Sequence, residues 1–239
     1  MIKIENTEVF GWEAAIRGMR NPMNSWDKSD STFEVYDSYE SSWWTPINLQ
    51  EKTDLVKMKI GENDLKLMRN LAKAGSDHAK YLRMINVTVD ITAPLYWWKE
   101  FDTYKVGTVA NSCSTMHKIH EKEFDMFDFS FGHLIGKGED LTCYGAEWFT
   151  PLDILQLTID TLNGARERFL ETKDKKYWWQ MIQLLPSSYN QKRTVQLNYQ
   201  VLKAMDSREF HKLDEWREFI RWRNELPYFK EVLLDDSRS

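Results

Sequence analysis

The chain has 239 residues, of which 42% are hydrophobic and 29% are charged, and its net charge is −5. This balance is typical of a folded globular protein, and it excludes an intrinsically disordered chain and a polybasic nucleic-acid-binding protein. Two cysteines do not make a secreted disulfide framework. The N-terminus lacks an apolar signal segment, and no run approaches the roughly 20 apolar residues of a membrane helix. We therefore expect a cytoplasmic protein with no membrane or nucleic-acid partner.

The first half of the chain predicts strands and helices in alternation. Val87, Val89 and Ile91 alternate with polar residues, which indicates a half-buried strand that ends at Ala93-Pro94. Gly75 is well placed to end the helix before it. The predicted elements are a strand at 2–4, a helix at 12–20, a helix at 62–74, a strand at 85–91 and an aromatic helix at 95–104.

Residues 24–58 show no clear periodicity, and we interpret them as a loop insertion. The segment is rich in Ser, Asp, Trp and Tyr. Loops of this length are uncommon unless they are functional or disordered. Its rings suggest that it packs against another surface.

The second half begins with an aromatic, irregular region at 124–149. Thr150-Pro151-Leu152-Asp153 then predicts a helix start, because Thr is a good N-cap and Pro suits the first helical position. The predicted elements are helices at 150–172 and 174–185, a strand that turns helical at 193–205, and a charged amphipathic helix at 209–225. We expect one α+β domain over 1–239, with a central sheet and flanking helices.

The order of these parts resembles that of the flavin-dependent thymidylate synthases. A helix ending at Gly75 leads to the strand VTVDITAP, an aromatic helix and a polar run. A Leu185-Pro186 turn and the segment TVQLNYQVLKAMDSR follow later. The resemblance implies a homotetramer that uses FAD, NADPH and methylenetetrahydrofolate to methylate a pyrimidine deoxynucleotide, dUMP. In such an enzyme the flavin carries the hydride chemistry and the protein orients the reactants.

The signature motif of that family, R-H-R-x-x-S-x-N-E-x-S-x-R-Y, falls on Thr103–Met116. Lys105 and Thr108 keep chemistry similar to the motif, whereas the other basic residues are replaced. Gln200 stands where the family has an Arg of its N-x-R segment, and Glu100 stands where it often has Gln. An Arg binds phosphate with a planar fork, and Lys is only a point charge. Phosphate binding through this motif is therefore expected to be weaker.

The resemblance also assigns candidate site residues to this chain, but no catalytic residue. The candidates for cofactor binding are Lys105, Thr108 and Asn198, and those for substrate binding are Cys113, Ser114, Thr115 and Arg208. The polar run at 108–115 favours equally an anion cradle and an ordinary polar loop. The rings of Trp97, Trp98, Phe101 and Tyr104 suit a helical core stripe better than a flavin stack.

Other site chemistries find less support in the sequence. Cys113, His117, His120 and Glu121 would share one face if this segment were helical, and such a group can bind zinc. With no second ligand cluster, we predict no metal site. A Cys113–His117 nucleophilic pair lacks a residue to orient the His, and His211 is predicted to be exposed. The replaced motif leaves two interpretations open: a flavin enzyme with altered chemistry, or a non-catalytic homologue that serves as a binding or structural module.

Overall fold

The computed structural model describes residues 2–35, 56–136 and 149–234. Its strands are β1 (Lys3–Phe10), β2 (Thr32–Val35), β3 (Val56–Lys59), β4 (Asn86–Pro94), β5 (Val109–Ser112) and β6 (Asn190–Asn198). Its helices are α1 (Trp12–Arg20), α2 (Glu62–Lys73), α3 (Leu95–Phe101), α4 (Pro151–Thr172), α5 (Lys175–Leu184), α6 (Tyr199–Lys203), α7 (Asp214–Asn224) and α8 (Phe229–Leu233). None of the helices in these ranges is long and apolar enough to cross a membrane.

A four-stranded antiparallel sheet in the order β1-β4-β6-β5 organises the molecule. Its central pair, β4 and β6, is in register from Asn86 opposite Asn198 to Pro94 opposite Asn190. Alternate residues of β4 are completely buried, which confirms the half-buried strand expected from the sequence: Val87, Val89, Ile91 and Ala93. The α+β prediction is therefore confirmed, with helices packed on the apolar face of the sheet.

The main hydrophobic core lies between that face and the helices. Trp97, Trp98 and Phe101 of α3 are at most 1% exposed. The Trp97 ring lies 4.9 Å from the Trp216 ring of α7 and stacks on Phe101 at 5.0 Å. These three rings of the aromatic helix are core residues and are not available to a ligand.

A second, smaller core lies under the antiparallel pair α4 and α5. The helix α4 starts as the sequence predicts, because the Thr150 hydroxyl accepts a hydrogen bond from the backbone N–H of Asp153, whose carboxylate in turn accepts from the N–H of Thr150. Its buried side pairs with Met181 of α5 and with rings from the preceding irregular region. The buried members of this cluster are Ile119, Phe124, Phe129, Leu155, Ile159, Leu162, Ala165 and Met181.

Two predicted helices are shorter than the sequence suggests. The helix predicted at 95–104 ends at Phe101, because the chain must turn toward the sheet edge and does so at Gly107, where φ is +82°. The helix predicted at 209–225 begins only at Asp214. Before it, residues Asp206–Phe210 form a separate 3-10 turn, which the extended backbone of His211 ends.

The predicted loop at 24–58 contains regular structure at both ends, although residues 36–55 lie outside the described ranges. Strands β2 and β3 pair with each other, with Thr32 opposite Lys59. The buried Asp64 carboxylate of α2 accepts hydrogen bonds from the Arg20 guanidinium and from the hydroxyls of Ser29 and Ser31. These bonds hold the start of the segment against α2. That the segment is an insertion stays a prediction.

Candidate functional site

The signature segment 103–116 runs along one edge of the main sheet. Its middle, Val109–Ser112, forms strand β5, which pairs with β6 and is exposed at every residue. The polar run is therefore a strand at its centre, where the sequence suggested a loop or an anion cradle. An edge strand presents unpaired backbone groups as well as its side chains to a ligand.

At the first end of β5, the chain packs closely against the start of α6. A Cβ atom added to Gly107 would lie 3.0 Å from Asn198 Nδ2 and 3.1 Å from Val201 Cγ2, and φ is +82°, so close packing and backbone conformation together favour glycine. Asn198 caps α6, since its Oδ1 accepts from the Val201 N–H. The Thr108 hydroxyl oxygen is buried and has no hydrogen-bond partner among the described residues. The chain at Gly107-Thr108 thus packs against Asn198, and Lys105, two residues before Gly107, is exposed.

Arg208 belongs to the same end of the site but is held by other side chains. Its Nε donates to the Tyr104 hydroxyl at 3.0 Å, and its Nη1 donates to Glu100 Oε2 at 2.6 Å. The guanidinium lies 4.8 Å from the centre of the Trp216 ring. Arg208 is therefore fixed in place and already paired with a carboxylate.

Cys113, Ser114 and Thr115 lie at the other end of β5. The Cys113 N–H donates to the Lys192 carbonyl, and the Cys113 carbonyl accepts from Gln191 Nε2. With a strand rise of about 3.4 Å per residue, Thr108 and Cys113 are roughly 17 Å apart along the strand. The two groups of candidates can therefore contact different parts of an extended ligand, and not the same phosphate.

Most cations around this edge are neutralised by acids. Arg193 pairs with Asp102 at 2.8 Å, and Lys192 pairs with Asp90 at 2.9 Å. Hydrogen bonds from Thr194, Lys192 and Asn6 lower the pKa of Asp90 to about 2. Lys105, by contrast, forms no ion pair within the described ranges, so it is the cation of this edge that is available to an anionic ligand.

The segment after β5 does not form the helix on which a metal site would depend. Residues 113–125 follow a series of turns, in which the Ser114 hydroxyl accepts from the N–H groups of Met116 and His117. Cys113, His117 and His120 therefore do not share a helical face. Among the described residues, no group of His, Cys, Asp and Glu is arranged to hold a metal ion.

Two parts of this site were not found by sequence reasoning. His211, predicted to be exposed, has a side chain that is 24% exposed and lies 3.2 Å from Glu100 Oε2. The sequence pattern indicates Tyr104 only as an aromatic ring, yet its hydroxyl accepts a hydrogen bond from Arg208 Nε. The sequence signal that could have indicated these contacts is Glu100 at the end of an aromatic helix, because a half-buried carboxylate needs hydrogen-bond donors nearby.

No family model matches the chain, and no curated protein matches its sequence. Solved structures do match it. A flavin-dependent thymidylate synthase ThyX from Helicobacter pylori, complexed with FAD and dUMP, has a TM-score of 0.61 and 16% identity, with 98% of each chain covered. A second structure of that enzyme, also with FAD and dUMP, has a TM-score of 0.62 and 15% identity, with 99% of this chain and 98% of that chain covered.

This chain has the fold of the flavin-dependent thymidylate synthases. The family resemblance inferred from the order of elements is thereby confirmed at the level of the fold, over nearly the whole chain. The UMP/dUMP methylase PolB from Streptomyces cacaoi, bound with 5-Br dUMP, is more distant, with a TM-score of 0.49, 12% identity and coverage of 85% of this chain and 74% of that chain.

Proposed function

We propose that this protein catalyses FAD-dependent one-carbon transfer to a pyrimidine deoxynucleotide that resembles dUMP. The observation that carries the proposal is the arrangement at the edge of the sheet. The start of the exposed strand β5, with Thr108, packs against Asn198, and Lys105 precedes it in the chain; the fold is similar to that of the Helicobacter enzyme complexed with FAD and dUMP. NADPH and methylenetetrahydrofolate are the proposed co-substrates, and the cytoplasm is the proposed location.

The residues at the first end fit one phosphate group of FAD. Lys105 supplies an unpaired cation, the Thr108 hydroxyl lacks a partner among the described residues, and Asn198 Nδ2 has no described acceptor. Together these are donors of the kind that hold a phosphate oxygen. When bound, FAD would supply the hydride chemistry, and the protein would orient the nucleotide ring beside it.

The nucleotide is proposed to contact the far end of β5, where Cys113, Ser114 and Thr115 offer a thiol and two hydroxyls. These groups bind a phosphate more weakly than arginine does, and Arg208 is already paired with Glu100. A pyrimidine ring held loosely is misplaced relative to the flavin, and about 1 Å of misplacement costs roughly 100-fold in rate. We therefore expect turnover of dUMP to be slow.

The test is tritium release from 5-tritiated dUMP in the presence of FAD, NADPH and methylenetetrahydrofolate. The proposal predicts slow release that requires FAD and falls further in a Lys105→Glu variant. A Lys66→Glu variant reverses an exposed lysine of α2 in the same way and should release tritium at the rate of the unaltered protein. Release equal with and without FAD would contradict the proposal.

A non-catalytic homologue is the second candidate, and the ion pairs favour it. Asp90, Glu100 and Asp102 neutralise Lys192, Arg208 and Arg193, so most of the positive charge near the strand is paired without a ligand. Such a module would give no tritium release under any condition. It would still take up FAD or a nucleotide if it serves as a binding module.

Self-association is proposed for either candidate, with a homotetramer as the expected state. The outer side of α4 exposes Ile154 and Leu157, which are 53% and 54% exposed, and the small residue Gly164 follows about two turns later. On α5, Trp179 and Leu184 are also exposed. Large apolar side chains exposed on the outside of helices are typical of a subunit contact, and a small residue allows a second helix to approach closely.

A further inference from the structure

The carboxylate of Glu100 is the centre of a hydrogen-bond cluster that includes Arg208. One oxygen, Oε2, lies 2.6 Å from Arg208 Nη1, 3.2 Å from the Trp216 indole nitrogen and 3.2 Å from His211 Nε2. The Nδ1 atom of His211 accepts from the Leu213 N–H at 3.2 Å. Because Nδ1 is an acceptor, the proton of the neutral ring is on Nε2, and His211 donates to Glu100.

Arg208 is held in the geometry of an anion-binding residue. Its guanidinium packs on the Trp216 ring, and the Tyr104 hydroxyl fixes its Nε. Its side chain remains 21% exposed, and its Nη2 atom has no hydrogen-bond partner among the described residues. A planar, oriented guanidinium with an accessible edge is suited to take two oxygens of a phosphate or carboxylate. Glu100 uses one of those positions.

We propose that Glu100 is an internal competitor for Arg208 and so determines which ligands this guanidinium admits. A ligand phosphate would have to displace the Glu100 carboxylate, or else lie beside a half-buried group of the same charge. Uncharged ligands, such as a nucleoside without phosphate, avoid both costs. Glu100 therefore selects against a phosphate at Arg208. The identity of the ligand rests on the proposed function, whereas the competition between Glu100 and an anion does not.

The test compares Glu100→Gln with the unaltered full chain by titration with inorganic phosphate and, separately, with 2′-deoxyuridine. Glutamine keeps the length of the side chain and an oxygen acceptor for Trp216, but removes the charge. The variant should bind phosphate about tenfold or more tightly, the equivalent of one charge-assisted hydrogen bond. Its affinity for deoxyuridine should change by less than about twofold, since this nucleoside carries no charge for the Glu100 carboxylate to repel.

Two further variants separate competition from a general effect of charge. In the double variant Glu100→Gln with Arg208→Gln, the gain in phosphate affinity should disappear, because the guanidinium is then missing. Glu171→Gln removes one exposed acid of α4, which pairs with Arg168, and should leave phosphate binding unchanged. A gain that persists without Arg208, or that Glu171→Gln reproduces, would overturn the inference.

A measurement on the unaltered protein covers the case in which Glu100→Gln does not fold. The indole N–H of Trp216 donates to Glu100, so its proton NMR signal reports displacement of the carboxylate. Phosphate should shift this signal only at concentrations well above millimolar. A shift that saturates at lower phosphate would show that Glu100 does not compete, and would refute the inference. FAD absorption in the same samples tests the proposed function separately, because the phosphate comparison gives its answer whether or not FAD binds.

Discussion

The central strand β4 and the edge strand β5 differ in how much of their side chains is buried. In β4, alternate side chains are completely buried in the main hydrophobic core. In β5, only four residues pair, and each of them is exposed. The central strand is specified by apolar shape, whereas the edge strand is exposed and is flanked by charged groups that pair with particular partners.

This difference explains how the fold is retained at 15–16% identity to the Helicobacter enzyme. A core accepts many combinations of apolar residues provided that volume and pattern are kept. Phosphate recognition depends instead on the exact donor, and a guanidinium cannot be exchanged for a hydroxyl without loss. A chain can therefore keep its central strands while the chemistry at the edge changes.

The contrast between the buried centre and the exposed edge predicts that the largest loss of stability comes from a substitution in the core. Trp97→Ala should lower the free energy of unfolding by about 3–5 kcal/mol, because it removes a fully buried ring packed on Phe101 and Trp216. Val109→Ala, at an exposed position of β5, should change it by no more than about 0.5 kcal/mol. Urea unfolding measures both, and equal losses would mean that the edge is as important to the fold as the centre.

A second prediction concerns the outer side of α4, where the apolar side chains of Ile154 and Leu157 are exposed. If the proposed homotetramer forms through this surface, Leu157→Lys should lower the mass seen by light scattering from about four chains toward one, because a charge would be buried in the proposed contact. Gln156→Lys adds the same charge at a neighbouring polar, exposed position of α4 and should leave the mass unchanged. An unaltered protein with the 28.5 kDa mass of a single chain would contradict the assignment of this surface.

A smaller effect is expected from Asp90, on the polar face of β4. Its pKa is lowered to about 2, so its charged form stabilises the fold at neutral pH, and this contribution is lost as the pH falls from about 4 to about 2. Asp90→Asn should lower the free energy of unfolding at pH 7 by about 1 kcal/mol and make it less dependent on pH below about 4.

The control for that prediction is Asp77→Asn, at an exposed position in the turn after α2. It should leave the acid dependence as it is in the unaltered protein. Urea unfolding at neutral and acid pH distinguishes the two variants. An Asp90→Asn variant with unchanged acid dependence would show that the bonds from Thr194, Lys192 and Asn6 do not stabilise the charged carboxylate.

The sequence predicted the fold well where local physics decides it. Alternation located β4, and the Thr150–Asp153 capping box located the start of α4. The end of α3 was missed because a turn toward β5, made possible by Gly107, stops the helix before its aromatic pattern ends. Such a turn depends on where the neighbouring strand lies, which the local sequence does not contain.

The site was less predictable because its key contacts join distant parts of the chain. Lys105, Thr108 and Asn198 were expected as a group only through the family resemblance. The pairing of Arg208 with Glu100 links positions 108 residues apart, and neither residue type indicates its partner. His211 was misjudged for the same reason, since its contact with Glu100 exists only in the folded chain.

The central proposal is that the β5 edge binds FAD through Lys105, Thr108 and Asn198. The most direct measurement is a titration with FAD, followed by its visible absorption, on the unaltered protein, Lys105→Glu and the control Lys66→Glu. We predict saturable binding that Lys105→Glu weakens about tenfold or more, because it reverses the available cation, and that Lys66→Glu leaves unchanged. No uptake of FAD by the unaltered protein, or equal affinity in all three proteins, would contradict the account.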